Sequence, residues 1–213
     1  MTAGRKPTPF YRLTEIDALF LRIAQNIINP RNPTATNLFY RAHSAFRAAC
    51  ATAMAGQVTE TFVLTRSCFE YAAYALHMQE NPGYDSVWWD RNQSASQKRA
   101  AISSFAPGRL RETIDKRDRR LAEVFDELYE RTIDFGAHPN QSGVASSLSI
   151  DDGPERVSIV QTYLHADGLQ MDHALRTTAQ VGICALRLAQ FTMPEKFMLL
   201  GVQHGIRRAE NGL

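Results

Sequence analysis

The stretch from Thr59 to Glu80 is apolar or small on nearly every side, except for one stripe carrying Arg66, Glu70 and His77. At about 100° per residue an α-helix brings these three within roughly 40° of one another. Ionisable groups on an otherwise core-like helix cost free energy unless they are paired. The stripe is therefore either a structural clasp or a site, and the sequence leaves both readings open.

The rest of the chain has the means to surround such a helix. With 213 residues, 44% of them hydrophobic and 22% charged, it can bury roughly 70% of its unfolded surface in a single domain spanning residues 1–213. Cys50, Cys68 and Cys184 form no C-x-x-C pair and fall in predicted helices, which points to reduced core thiols and a cytoplasmic setting. Arg5 and Lys6 are followed by Pro7 and Pro9 rather than by the continuous apolar stretch of a secretion signal. No run reaches membrane-spanning length, and no membrane partner is expected. A formal charge of +2 is too small to imply nucleic acid by itself.

Helical spacing dominates the pattern. Ile16, Leu19, Phe20, Ile23 and Ile27 recur on one face after Thr14, with Asn29-Pro30 closing that helix. A second helix is predicted from Thr36 to Ala55, with Gly56 placed to end it. Thr59 is the expected cap of the striped helix, and Asn81-Pro82-Gly83 ends it. Two short helices follow, over Tyr84–Arg91, where Trp88-Trp89 puts at least one indole into the bundle, and over Ser96–Phe105. A single long helix is expected from Arg109 to about Phe135, with Leu121, Val124, Phe125, Leu128 and Tyr129 on its apolar side. Between residues 144 and 164 the period changes: Leu148 and Ile150 alternate with serines, Asp151-Asp152-Gly153-Pro154 supplies a turn, and Val157, Ile159 and Gln161 alternate again. That is a β-hairpin signal. A ribbon of two strands is marginal alone, so it should lie against the helices or pair across a dimer. Helices over Asp167–Gln190 and Glu195–Arg208 complete the chain, and Gly201 with Gly205 in the last marks close helix packing. The reading is an all-α fold, a helical bundle of about six to eight helices with one inserted β-hairpin.

Two clusters carry candidate chemistry. Arg66 and Glu70, four residues apart, can form an ion pair that fixes helix register. The same guanidinium, held by Glu70, could instead face a phosphate or carboxylate, with His77 as proton carrier. The second cluster is Arg131-Thr132-Ile133-Asp134-Phe135-Gly136-Ala137-His138. If the helix persists to its end, Arg131 and His138 differ by only about 20° in direction and share a crevice. A histidine at a helix C-terminus is also ordinary stop chemistry.

Arg131 followed after six residues by His138 resembles the R-x4-6-H motif of the HEPN superfamily (higher eukaryotes and prokaryotes nucleotide-binding). These are helical-bundle proteins that include metal-independent endoribonucleases. The stretch Arg66-Ser67-Cys68-Phe69-Glu70-Tyr71 is similar to uncharacterised bacterial helical proteins associated with that group. The position after the arginine is Thr132, where active members often carry Asn, Asp or His. The resemblance implies RNA as partner and a homodimer with its site at the two-fold interface. It also implies that His138 moves a proton at the 2′-hydroxyl while Arg131 stabilises charge on the phosphate, without metal or other cofactor.

A third feature is the basic segment Lys98–Arg120. On one continuous helix Arg109, Lys116 and Arg120 would fall within about 40°, with Arg117 beside them, and could track a phosphate backbone. Glu112 with Lys116 and Asp115 with Arg119 equally suit a solvated, pair-laced face. His165, Asp167, Asp172 and His173 are close in sequence, but no H-E-x-x-H or cysteine pair supports a metal site. The rival to the RNA reading is a non-catalytic helical interaction protein with an unidentified protein partner, or a binder of a small anionic ligand.

Overall fold

A computed structural model describes residues 2–137, 141–153 and 156–213 of the chain. In chain order the helices are α1 (Thr2–Arg5), α2 (Pro7–Ala24), α3 (Pro33–Ala55), α4 (Val58–Glu80), α5 (Tyr84–Trp89), α6 (Ala95–Ser104), α7 (Pro107–Asp115), α8 (Arg119–Thr132) and α9 (Gln141–Ala145). The hairpin β1 (Leu148–Asp152) and β2 (Val157–Gln161) follows, and then α10 (Leu169–Thr192), α11 (Pro194–Leu199) and α12 (Val202–Glu210). Eight of the described helices have nine residues or more, so the expected bundle with one hairpin is what forms.

The centre is α4, flanked by α3 and α10. Asn32 opens α3 by accepting from the Ala35 backbone N–H at 2.9 Å, with Pro33 in the first turn. Gly56 closes that helix as predicted, at φ 81°. Phe62, Phe69 and Leu76 lie along α4 with no exposed surface. Each contributes roughly 1.5–3 kcal/mol of burial free energy. On α10, Val181, Cys184, Leu186 and Leu188 close the core from the other side. Trp88 packs on this core, whereas Trp89 lies outside and donates from Nε1 to the Thr34 hydroxyl at 3.0 Å. All three cysteines are free thiols. Among the described residues no helix is long and apolar enough to cross a membrane.

Several boundaries differ from the sequence reading. The first long helix starts at Pro7 and ends at Ala24, well before Asn29. The residue before α4 is Gln57, with no side-chain cap, and Thr59 already lies inside the helix. The predicted long helix is two: α7 stops at Asp115, and Asp118, in extended geometry, caps α8 by accepting from the Leu121 N–H at 3.0 Å. Val124 ends up exposed beside the apolar face rather than on it. The last helix is also two, broken at Gly201, whose φ of 65° lies in the left-handed region that glycine occupies without steric cost. Gly205 does mark close packing, within the chain: a Cβ there would stand 2.4 Å from Leu19 Cδ2 on α2.

The hairpin is antiparallel, with Ile150 opposite Ile159. Its apolar side chains are not covered by helices among the described residues: Ile150 is 63% and Ile159 70% exposed.

Candidate functional site

The charged stripe of α4 divides. Arg66 is pinned between α4 and α8: its Nε donates to Glu70 Oε1 at 2.8 Å and its Nη2 to the Tyr129 hydroxyl at 2.6 Å. Its guanidinium carbon stands 4.6 Å from the Tyr129 ring centroid, a cation–π contact. The Arg66 side chain is only 16% exposed, and its Nη1 is buried without a partner. Burial pushes the Tyr129 phenol upward, and the Arg66 charge works against that rise.

His77, on the same helix, joins a different wall. Its Nε2 faces the Ser104 carbonyl at 3.0 Å and its Nδ1 faces the Thr113 hydroxyl at 2.6 Å. A carbonyl can only accept, so Nε2 carries the proton and Nδ1 is the acceptor of the neutral ring. The Asn81 amide, 3.3 Å from Nδ1, is a second donor toward it. Burial holds the imidazole below its ordinary value, aided by the charges of Arg109 and Lys116, while the Ser104 carbonyl acts in the opposite direction. His77 is thus a neutral brace between α4, α6 and α7, and the structure does not bring it to Arg66 and Glu70.

Arg131 leaves α8 on another side. Its Nη1 donates to Gln180 Oε1 at 2.6 Å and lies 3.5 Å from the Thr177 hydroxyl, both on α10. Its Nη2 donates to Glu127 one turn back. The side chain is 19% exposed. One turn along the same face of α10, His173 sits between Phe62 and Phe135, with ring centroids 5.6 and 4.7 Å away. Its Nε2 is buried with no partner. Burial, followed by the Arg131 and Arg176 charges, lowers its pKa, so it too is neutral near pH 7.

Beyond Thr132 the α-helix does not persist. The backbone widens into one π-helical turn, Ile133–Ala137, in which Gly136 has φ 149°. The continuous α-helix on which Arg131 and His138 were expected to share a direction therefore ends at Thr132. His138 itself lies outside the described residues.

The basic segment is also redistributed. Because α7 and α8 are separate, Arg109, Lys116 and Arg120 do not share one helix face. Arg109 pairs with Glu112 at 3.2 Å, and Arg117 donates from Nη2 to both carboxylate oxygens of Glu80 at 2.6 Å. In the His165–His173 segment the carboxylates turn to a lysine: Lys6 Nζ lies 2.5 Å from Asp167 and 2.6 Å from Asp172.

Sequence reasoning missed Tyr129 as the partner of Arg66, and His173, Thr177 and Gln180 as the wall facing Arg131. The second group carried a readable signal. These residues recur at four- and three-residue spacing on a helix otherwise apolar along that line, the same pattern that singled out the α4 stripe.

No family model matches this chain, and neither a curated protein nor a solved structure matches it.

Proposed function

We propose that this chain acts on RNA as a HEPN-like, metal-independent endoribonuclease, with Arg131 as the phosphate-facing cation and His138 as the proton carrier. The reading extends to a cytoplasmic homodimer. The observation that supports it is how Arg131 is held: a largely buried guanidinium gripped by Glu127 and Gln180 at the last turn of α8, with six residues between it and His138. Such clamping fixes the direction of a cation in advance, which is what transition-state charge stabilisation requires. Chemistry would proceed by attack of the 2′-hydroxyl on the adjacent 3′-phosphate, forming a 2′,3′-cyclic phosphate as the P–O5′ bond breaks, with the imidazole taking the 2′-proton or delivering one to the departing 5′-oxygen.

A second reading has its own support. Arg66 Nε and Nη2 are held by Glu70 and Tyr129 inside the bundle, as in a register-fixing clasp, and that favours a non-catalytic interaction protein.

Purified protein incubated with labelled RNA in EDTA separates the two. The nuclease reading expects cleavage that is lost in His138→Ala at an unchanged thermal midpoint, and in Arg131→Ala by more than its loss of folded protein explains. RNA binding without cleavage reduces the proposal to an RNA-binding protein, and neither binding nor cleavage leaves the interaction protein.

A further inference from the structure

A cleft of about 550 Å³ opens where the loop between α2 and α3, the last turn of α4 and the junction of α10 with α11 meet. Its size is within the roughly 300–1,000 Å³ range of small-molecule sites. Ile27, Phe191, Met193 and Leu199 line it with apolar surface. The rim is fixed in advance: Lys196 Nζ donates to the Asn26 carbonyl at 2.8 Å, tying α11 to the α2–α3 loop, and Asn32 caps α3 at the loop's other end.

The polar lining has a sign. Arg117 and Glu80 neutralise each other through their two-oxygen contact. What remains is Arg31 and Lys196 against Glu195. Arg31 is exposed and, among the described residues, has no hydrogen-bond or ion-pair partner. The first turn of the 23-residue α3, with Asn32, Ala35 and Thr36 in the wall, adds the positive end of a helix dipole. The opposing carbonyl ends of α4 and α10 are partly met by the Asn81 amide, which donates to the His77 carbonyl, and by the Thr192 hydroxyl, which donates to that of Ala189.

We propose that this cleft binds an organic monoanion with a flat apolar body, the body against Phe191 and Met193 and the acid group at Arg31. The proposal is independent of the RNA reading, since Arg131 does not line the cleft.

The test is a fluorescence titration of the full chain with 8-anilino-1-naphthalenesulfonate, beside its uncharged analogue N-phenyl-1-naphthylamine. The expected result is saturable binding of the sulfonate at one site per chain, with the neutral analogue weaker by about tenfold, the value of one charge-assisted hydrogen bond. Arg31→Glu should weaken the sulfonate at least as much at an unchanged thermal midpoint. Leu199→Glu, at a position 79% exposed and therefore harmless to folding, should do the same by placing a carboxylate in the wall. No saturable binding, equal affinity for the two probes, or indifference to both substitutions overturns the assignment.

Discussion

Tyr129 and Arg131 stand two residues apart on α8 and serve opposite walls. The Tyr129 hydroxyl takes the Arg66 guanidinium of α4, and Arg131 reaches Gln180 of α10, each at 2.6 Å. Helical geometry sets two such neighbours roughly 160° apart. The clasp and the clamped arginine are therefore separate polar systems joined through one helix, and they can be perturbed separately.

The clasp should behave as a coupled unit. Glu70→Leu leaves the Arg66 charge without its carboxylate in a mostly buried place and should cost about 1–2 kcal/mol, discounted from a fully buried pair because Glu70 is partly wet. Arg66→Met combined with Glu70→Leu should cost less than the sum of the single changes. Urea unfolding of the four proteins gives the coupling directly, and additive effects would show that the residues do not support each other.

Stability should fall in mild acid. His77 and His173 are both held below the ordinary imidazole value of 6.5, chiefly by burial. The unfolded chain then binds more protons than the folded one at low pH, so this contribution is full above about 6.5 and is lost as pH drops through that value toward the folded ones. The thermal midpoint should decline from pH 7 to pH 5. His173→Phe, which fills the space between Phe62 and Phe135 and removes an unpartnered nitrogen, should flatten the decline and add about 1 kcal/mol at the acid end. An unchanged pH profile in that variant would mean that His173 titrates normally.

These relationships mark how far the sequence carries. The α4 stripe was visible because Arg66 and Glu70 are one helical turn apart, and the α4 core because Phe62, Phe69 and Leu76 recur at helical spacing. Tyr129 is 63 residues from Arg66, and Gln180 is 49 from Arg131. Nothing local encodes those pairings; packing of α8 between its neighbours makes them. The break at Asp118 was hidden for a different reason: no proline or glycine interrupts Lys116-Arg117-Asp118, and the aspartate reads equally as a surface residue or as a cap.

Arg131 and its clamp should separate in a cleavage assay. Under the proposed nuclease reading, Arg131→Ala removes a transition-state cation and should lower the rate about 100-fold. Gln180→Leu leaves the charge but frees its direction and should cost about tenfold, acting as a positioning change. Single-turnover rates in EDTA distinguish the two, and equal losses would argue against a separate orienting role for Gln180.

Gly201 and Gly205 should respond to alanine for different reasons. At Gly201 a Cβ meets nothing within 4 Å, and the cost, about 1–2 kcal/mol, comes from the left-handed backbone alone. At Gly205 the Cβ runs into Leu19, giving roughly 1–3 kcal/mol of overpacking. Leu19→Ala should relieve the second substitution and leave the cost of the first unchanged, as read from denaturation midpoints of the double variants.

Gly136 joins the fold to the proposed chemistry. Its φ of 149° disfavours any side chain, and a Cβ would stand 2.7 Å from both the backbone oxygen and the Cγ2 of Thr59 in the first turn of α4. Gly136→Ala therefore has two independent costs, backbone strain of about 1–3 kcal/mol and a collision with main chain that cannot swing aside. Thr59→Ser removes the methyl but leaves the carbonyl in place, so it should restore only a minor part of the loss. The pair Gly136→Ala and Gly136→Ala with Thr59→Ser, compared by thermal unfolding, tests this, and full rescue by the serine would mean that the side chain alone closes the contact. Because the same turn leads from the Arg131 clamp toward His138, Gly136→Ala should also lower RNA cleavage by more than its loss of folded protein explains. An activity that follows the folded fraction alone would detach this turn from the chemistry.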